Sequence, residues 1–188
     1  PKLKSLMEAT ITEVIAAQEP NGYLNTYFTR ENLARRHKEM TSGHELYCLG
    51  HLVQAGIAYY RATGERRLMD AGIRMVDYLA ENFGPEKTPI YEGHPEAELA
   101  LVELYRTTGE KRFLDAAAYL LNSDSRLKLS RRDLTYTFTG KPFAERTKME
   151  GHAVRAAYAV SGATDYFLET GNAPFWNTLQ RLWQDMTD

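Results

Sequence analysis

The sequence predicts an all-α protein, an α/α toroid in which helical hairpins stand side by side as a partial ring of about seven helices. Three observations carry this expectation. The segment Tyr60–Ala71 and the segment Tyr105–Ala116 align without a gap, each passing through Thr-Gly-Glu, and a weaker third copy follows through Thr170-Gly171. Helices that are apolar nearly all round alternate with helices that carry one charged stripe. A flat solenoid buries both helices of each pair more evenly, whereas a ring puts one inside and one outside. Finally, Gly43-His44, Gly93-His94 and Gly151-His152 each open one of the apolar helices.

Residues 3–18 have helical periodicity, with Leu3, Leu6, Met7, Ile11, Val14 and Ile15 on one face, and Pro20-Asn21-Gly22 ends the run. The stretch 22–43 is long and rich in Tyr, Asn and Thr, and a connection of that length is usually functional. Residues 44–62 lack a polar face, which predicts a buried helix. Residues 66–82 place Arg67, Asp70, Arg74, Asp77 and Glu81 opposite Leu68, Ile73, Val76 and Leu79, as expected of a helix packed on one side. The pair repeats over 95–107 and 110–121, the second member carrying Lys111, Arg112 and Asp115 outward. A helix from His152 to Glu169 and a closing helix over FWNTLQRLWQ form the third pair. The glycine after each first helix is placed for a left-handed C-cap. In the connection 122–149, Leu134, Tyr136 and Phe138 alternate with threonines, so a short strand or ribbon is expected there, draped over the mouth that leads to His152.

The chain has 188 residues and a net charge of −2 with both signs interspersed. Its length fits a single domain over 1–188, expected to be cut short at both ends, since the chain opens on Pro1 without Met. The charge balance gives no footprint for nucleic acid, and no apolar run is long enough to span a membrane. No secretory signal is visible; the cytoplasm is the favoured compartment, with export left open. The single cysteine, Cys48, excludes an internal disulfide and a multi-cysteine metal site within the chain.

The three histidines are the leading candidate site. A histidine at a helix N-terminus tends to stay neutral against the positive end of the dipole, and a neutral imidazole offers one donor and one acceptor to a hydroxyl-rich ligand. Any one of them alone is more often an ordinary cap or core filler; their repeated position is what points to a shared mouth. His44-Glu-Leu-Tyr-Cys48 resembles the zinc-protease H-E-x-x-H with cysteine last. His44 with Cys48, or Cys48 with His51, share a helix face, whereas His44 and His51 lie about 10 Å apart, too far for one ion. With the second histidine missing, Cys48 as core residue is the preferred reading and no metal site is expected. Glu92, Glu96 and Glu98 crowd around His94; paired carboxylates serve glycoside hydrolysis, but an acid at a helix start also favours the dipole. Arg155, one turn after His152, pairs with an acid or is solvated.

GYLNTYF at 22–28, HELYCLGHL at 44–52, GHPEAELALVELYRTTGEKRFLDAA at 93–117 and EGHAVRAAYA at 150–159 together resemble glycoside hydrolase family 127, the β-L-arabinofuranosidases. The resemblance implies the first part of a six-hairpin catalytic toroid and hydrolysis of terminal β-L-arabinofuranosides of plant-type glycans. It implies that His44, His94 and His152 line the sugar pocket, with Glu45 and Tyr23 matching neighbouring substrate-site positions. The family's acid/base glutamate, cysteine nucleophile and zinc site belong to a later region, so no catalytic residue and no cofactor is expected within this chain, and zinc only in the full-length site. The expected partner is a small sugar or oligosaccharide, with self-association possible through the open edge of the ring. Two rival expectations stand beside this one: a non-catalytic carbohydrate-binding or assembly module, and another toroid sugar enzyme, such as an epimerase or an unsaturated-uronide hydrolase.

Overall fold

The computed structural model describes residues 2–188. It is built from seven long helices, α1 (Lys2–Ala16), α3 (Glu45–Thr63), α4 (Arg67–Asn82), α5 (Ala97–Thr108), α6 (Lys111–Asn122), α8 (Ala153–Thr170) and α9 (Ala173–Thr187), and two short ones, α2 (Met40–Gly43) and α7 (Arg131–Thr137). Short 3₁₀ helices cover Arg30–Arg35 and Phe143–Glu145.

The hairpins are α3–α4, α5–α6 and α8–α9. α3 packs on both α4 and α5, α5 packs on both α6 and α8, and α8 packs on α9, while α1 lies against α4. The first helices of the hairpins therefore form one continuous inner layer, and their second helices an outer one. This is the expected arc of an α/α toroid. The turns repeat as the sequence does: Gly64, Gly109 and Gly171 are all left-handed and close their helices on the carbonyls of Tyr60, Tyr105 and Phe167 at 2.7, 2.7 and 2.8 Å.

The repeat also carries a ladder between inner helices. Arg61 at the end of α3 pairs with Glu103 of α5 at 2.6 Å, and its repeat counterpart Arg106 pairs with Asp165 and Glu169 of α8 at 2.8 and 2.5 Å. The same arginine in successive copies thus reaches forward to the next hairpin. In the outer layer Arg112 of α6 reaches Asp77 of α4.

One apolar core runs from Tyr23 and Phe28 through Leu46, Leu49, Val53, Met75, Leu101 and Leu104 to Phe113. A second, around Phe138, Phe143, Ala159, Phe175 and Leu182, holds α8 and α9 together. Ile11, Tyr59 and Leu68 form a small third cluster under α1, which leaves Leu3, Leu6 and Met7 exposed although they share its apolar face.

Two expectations are corrected here. Residues 134–139 form no strand, and no named strand occurs among the described residues. Ser130 caps α7, its Oγ accepting from the Asp133 backbone N–H at 3.1 Å, and the spacing Ser130-x-x-Asp133 starts a helix that overrides three alternating apolar residues. The helix over 44–62 is also not buried all round. Cys48, Ala55 and Ala58 lie on one exposed line, because α4 and α5 cover only two sides of α3. Cys48 is therefore not a core residue.

Candidate functional site

The connections that carry the three histidines are pressed against one another. A Cβ built on Gly93 would stand 1.6 Å from the carbonyl oxygen of Met40, in the turn before His44. One built on Gly151 (φ +83°) would stand 1.9 Å from the carbonyl oxygen of Thr135 in α7. Only glycine allows these approaches. Gly93 therefore sets the distance between the first two corners, and Gly151 seats the third corner on α7; the histidine after each inherits that position.

His44 is the N-cap of α3 and adopts the left-handed conformation (φ +56°), uncommon outside glycine and asparagine. Its Nδ1 donates to the Ser42 carbonyl at 2.7 Å. His94 stands ahead of α5 with Nδ1 3.3 Å from the Pro95 carbonyl. A carbonyl can only accept, so both rings carry their proton on Nδ1 when neutral and keep Nε2 as an acceptor. His152 is the N-cap of α8, and its Nδ1 is buried without a hydrogen-bond partner.

The three rings stand in one row. Ring centroids are 5.7 Å apart for His44 and His94 and 6.2 Å for His94 and His152. Tyr47 packs against His94 at 4.3 Å and against His51 at 4.4 Å, and Tyr158 of α8 approaches His94 at 5.8 Å. Tyr136 of α7 meets His152 edge-on at 5.5 Å, so the connection before α8 does lie against the third corner, as a helix. The row is half open. An open hollow of about 540 Å³, lined by Arg131, Arg132, Thr135, Tyr136 and Gly151, adjoins the third corner. Away from the row lie an apolar hollow of about 220 Å³ between the first two hairpins and a groove of about 640 Å³ between α8 and α9.

Tyr23 and Glu45 sit apart from this row. Both are buried, and the Tyr23 hydroxyl donates to Glu45 Oε1 at 3.0 Å. The His37 backbone N–H donates to the same carboxylate at 3.0 and 3.2 Å, and the His37 Nε2 bonds to the Tyr78 hydroxyl at 3.1 Å. His37 Nδ1 lies 2.9 Å from Glu45 Oε2 without being aligned for a hydrogen bond. The guanidinium of Arg36 stacks 3.6 Å from the Tyr23 ring centre. Burial, then the charge of Glu45, drives the Tyr23 hydroxyl far above the ordinary tyrosine range, so it is a fixed donor.

The description "Beta-L-arabinofuranosidase, GH127 catalytic domain" matches residues 1–188. The chain belongs to glycoside hydrolase family 127. It is 31% identical over 99% of its length to a non-reducing end β-L-arabinofuranosidase of Bifidobacterium longum. Among solved structures it resembles a GH127 β-L-arabinofuranosidase from Geobacillus stearothermophilus, with a TM-score of 0.92 at 33% identity over the whole chain. It also resembles a second GH127 β-arabinofuranosidase, with a TM-score of 0.88 at 34% identity over the whole chain. The chain spans 32% of the length of the first two relatives and 31% of the third.

Within this GH127 chain the acids beside His94 are buried rather than offered to a ligand. Glu92 accepts from the Ala97 backbone N–H at 3.1 Å at the start of α5, and burial next to Glu98 holds its carboxyl well above the usual range. Glu98 accepts from the Glu96 backbone N–H at 3.2 Å. Glu96 has both carboxyl oxygens buried without a hydrogen-bond partner, 3.4 Å from His51 Nδ1 at the nearest, and burial followed by Glu98 and Glu103 pushes it up to about 7. The His94 imidazole is pushed below its ordinary value by burial first, and then by the charges of Arg155, His44 and His152, against the Pro95 carbonyl.

The donor set for a metal is thin. Among the described residues no group of three or more His, Cys, Asp or Glu side chains is arranged to hold an ion. Although its residue is exposed, the Cys48 thiol is partly desolvated against α3, and this, with the charge of Glu45, holds it towards its thiol form, the reverse of what a zinc thiolate needs; His44 Nδ1 is engaged by Ser42. His44 and Cys48 therefore do not make the zinc pair that the H-E-x-x-H-like spacing suggests. Sequence reasoning misses Tyr47 and Tyr158, and places Tyr136 at the third corner on a ribbon rather than a helix. Tyr47 falls one turn after His44, the one signal that could have found it.

Proposed function

We propose that this chain forms the sugar-recognition wall of a β-L-arabinofuranosidase, in which His44, His94 and His152 bind the hydroxyls of a terminal β-L-arabinofuranoside of plant-type glycans. The observation that carries this reading is the single row of three imidazoles, with the acceptor Nε2 of two of them left free by backbone carbonyls. Neutral acceptors suit sugar hydroxyls, which donate without carrying charge. Tyr47 and Tyr158 supply the apolar backing that keeps the rings upright. Glu45 and Tyr23 act one layer behind, fixing the turn from which His44 projects.

Orientation of the sugar is the contribution expected of such a wall, and positioning can lower a barrier by several kcal/mol when the reacting groups are present. In this reading the nucleophile, the acid/base and any zinc donors come from outside these residues. The 188-residue chain is therefore expected to bind an aryl β-L-arabinofuranoside without cleaving it. Release of L-arabinose by the chain alone would refute that division of labour.

A second reading is an assembly module that closes its ring with a second copy. Trp176, Trp183 and Met186 of α9 are exposed around the groove between α8 and α9, as an unfilled edge would be. Sedimentation separates the readings: a monomer at micromolar concentration counts against self-assembly, a closed dimer supports it.

A further inference from the structure

Arg155 is placed where a cation is expensive. It lies in the first turn of α8, at the positive end of the helix dipole, and is 5% exposed. Its Nε and Nη1 are buried without partners, and it forms no ion pair with any carboxylate among the described residues. What holds it is weak: one bond from Nη2 to the Thr41 carbonyl at 3.3 Å, and a stack over the Tyr136 ring at 4.4 Å. Those two contacts fix it between the first and third histidine corners. Thr41 precedes His44, and Tyr136 packs on His152.

We propose that Arg155 sets the charge state of His94, the middle ring of the row: a buried, unpaired guanidinium wedged between the two flanking corners keeps that imidazole neutral and so free to exchange hydrogen bonds with hydroxyls. The proposal rests on reading the row as a hydroxyl-binding site and names what maintains it. A permanent positive charge in a poorly solvated place disfavours a second one nearby. The groups that face His94 are few. From α3 and the turn before it come His44 and Tyr47, and from α8 and its cap come His152, Arg155 and Tyr158. On its own connection stand Glu92, Glu96 and Glu98, of which Glu92 is raised well above the usual carboxylate range by burial and Glu96 is pushed up to about 7. Arg155 is the one full positive charge in that set, and its effect on His94 runs in the required direction. Arg155 is thus a positioning residue that acts through His94.

The test is a ring-nitrogen NMR titration of His94 in the sugar-free chain, its signal identified by loss in His94→Gln. In Arg155→Met the His94 midpoint should rise, with proton affinity increasing about tenfold. In Arg155→Lys, which keeps the charge and loses the planar stack, it should stay near wild type. A purely structural brace would show the opposite pattern, with Met and Lys equally disruptive and neither moving the midpoint of the folded protein; that result overturns the proposal. If Arg155→Met does not fold, the wild-type chain still decides: a His94 midpoint at or above the ordinary histidine value also overturns it. The titration contains no sugar. Failure to bind L-arabinosides therefore counts against the proposed function and leaves the role of Arg155 standing.

Discussion

His44 and His94 open successive inner helices and face one another with ring centroids 5.7 Å apart. Neither helix alone brings them there. The approach is fixed by Gly93, whose missing side chain lets its connection lie on the Met40 carbonyl in the turn before His44.

Gly93→Ala should therefore cost more than an ordinary glycine substitution. The new methyl would have to displace backbone, for which overpacking costs of about 1–3 kcal/mol are a minimum. Gly64→Ala is the control, since its Cβ would meet nothing within 4 Å and pays only for φ +80°, about 1–2 kcal/mol. Urea denaturation of both variants checks the order. Equal losses would mean that the corner does not depend on the close contact.

Stability should fall as pH rises through the range in which Glu96 ionises. Its carboxyl is raised by burial from 4.5 to about 7, so the neutral form is favoured in the fold while the unfolded chain ionises at the ordinary value. This contribution is fully present below about 4.5 and is lost progressively as pH climbs to about 7. Glu96→Gln removes that dependence. Its melting temperature should exceed wild type by a few degrees above neutrality, roughly the effect of a modest stability gain, and the gap should close in acid. A pH-independent difference would contradict the assignment.

Tyr23→Phe leaves Glu45 without its hydroxyl donor while the His37 backbone bond remains. A buried charged acceptor that loses one partner costs about 1–3 kcal/mol. The variant should lose that much stability and keep its histidine row, seen as unchanged ring shifts of His94 and His152. Loss of sugar binding with full stability would instead place Tyr23 in contact with the ligand.

Arg106→Met removes the link from α5 to α8 at a surface that is partly screened by water. The cost should be about 1 kcal/mol or less and should shrink further in high salt. A loss that is large and insensitive to salt would show that the arginine stem, rather than its charge, carries the contact.

The sequence made the hairpin repeat legible because turn chemistry is local. Thr-Gly-Glu fixes a left-handed C-cap wherever it falls, so Gly64 and Gly109 could be placed from residues alone. The alternation of inner and outer helices was legible for the same reason, being a pattern of apolar positions along one element. The position of the three histidines followed from the repeat. What local pattern could not show was anything decided between elements. Residues 134–139 alternate like a strand, but the Ser130 cap and packing against α8 make 134–137 the end of a helix and Phe138 its left-handed cap. Cys48 sits in an apolar helix and is nevertheless exposed, since no neighbour covers its side of α3. Tyr23 and Glu45 carry family-motif identities, yet their burial together is a contact across a long connection. Tyr158 reaches the row only because α8 packs on α5.

The central claim is that three imidazoles act as one sugar-binding row. Titrating the chain with methyl β-L-arabinofuranoside, while following the ring nitrogens of His44, His94 and His152 by NMR, tests it most directly. All three should shift together along one binding curve. Independent curves, or shifts confined to residues away from the row, would contradict it.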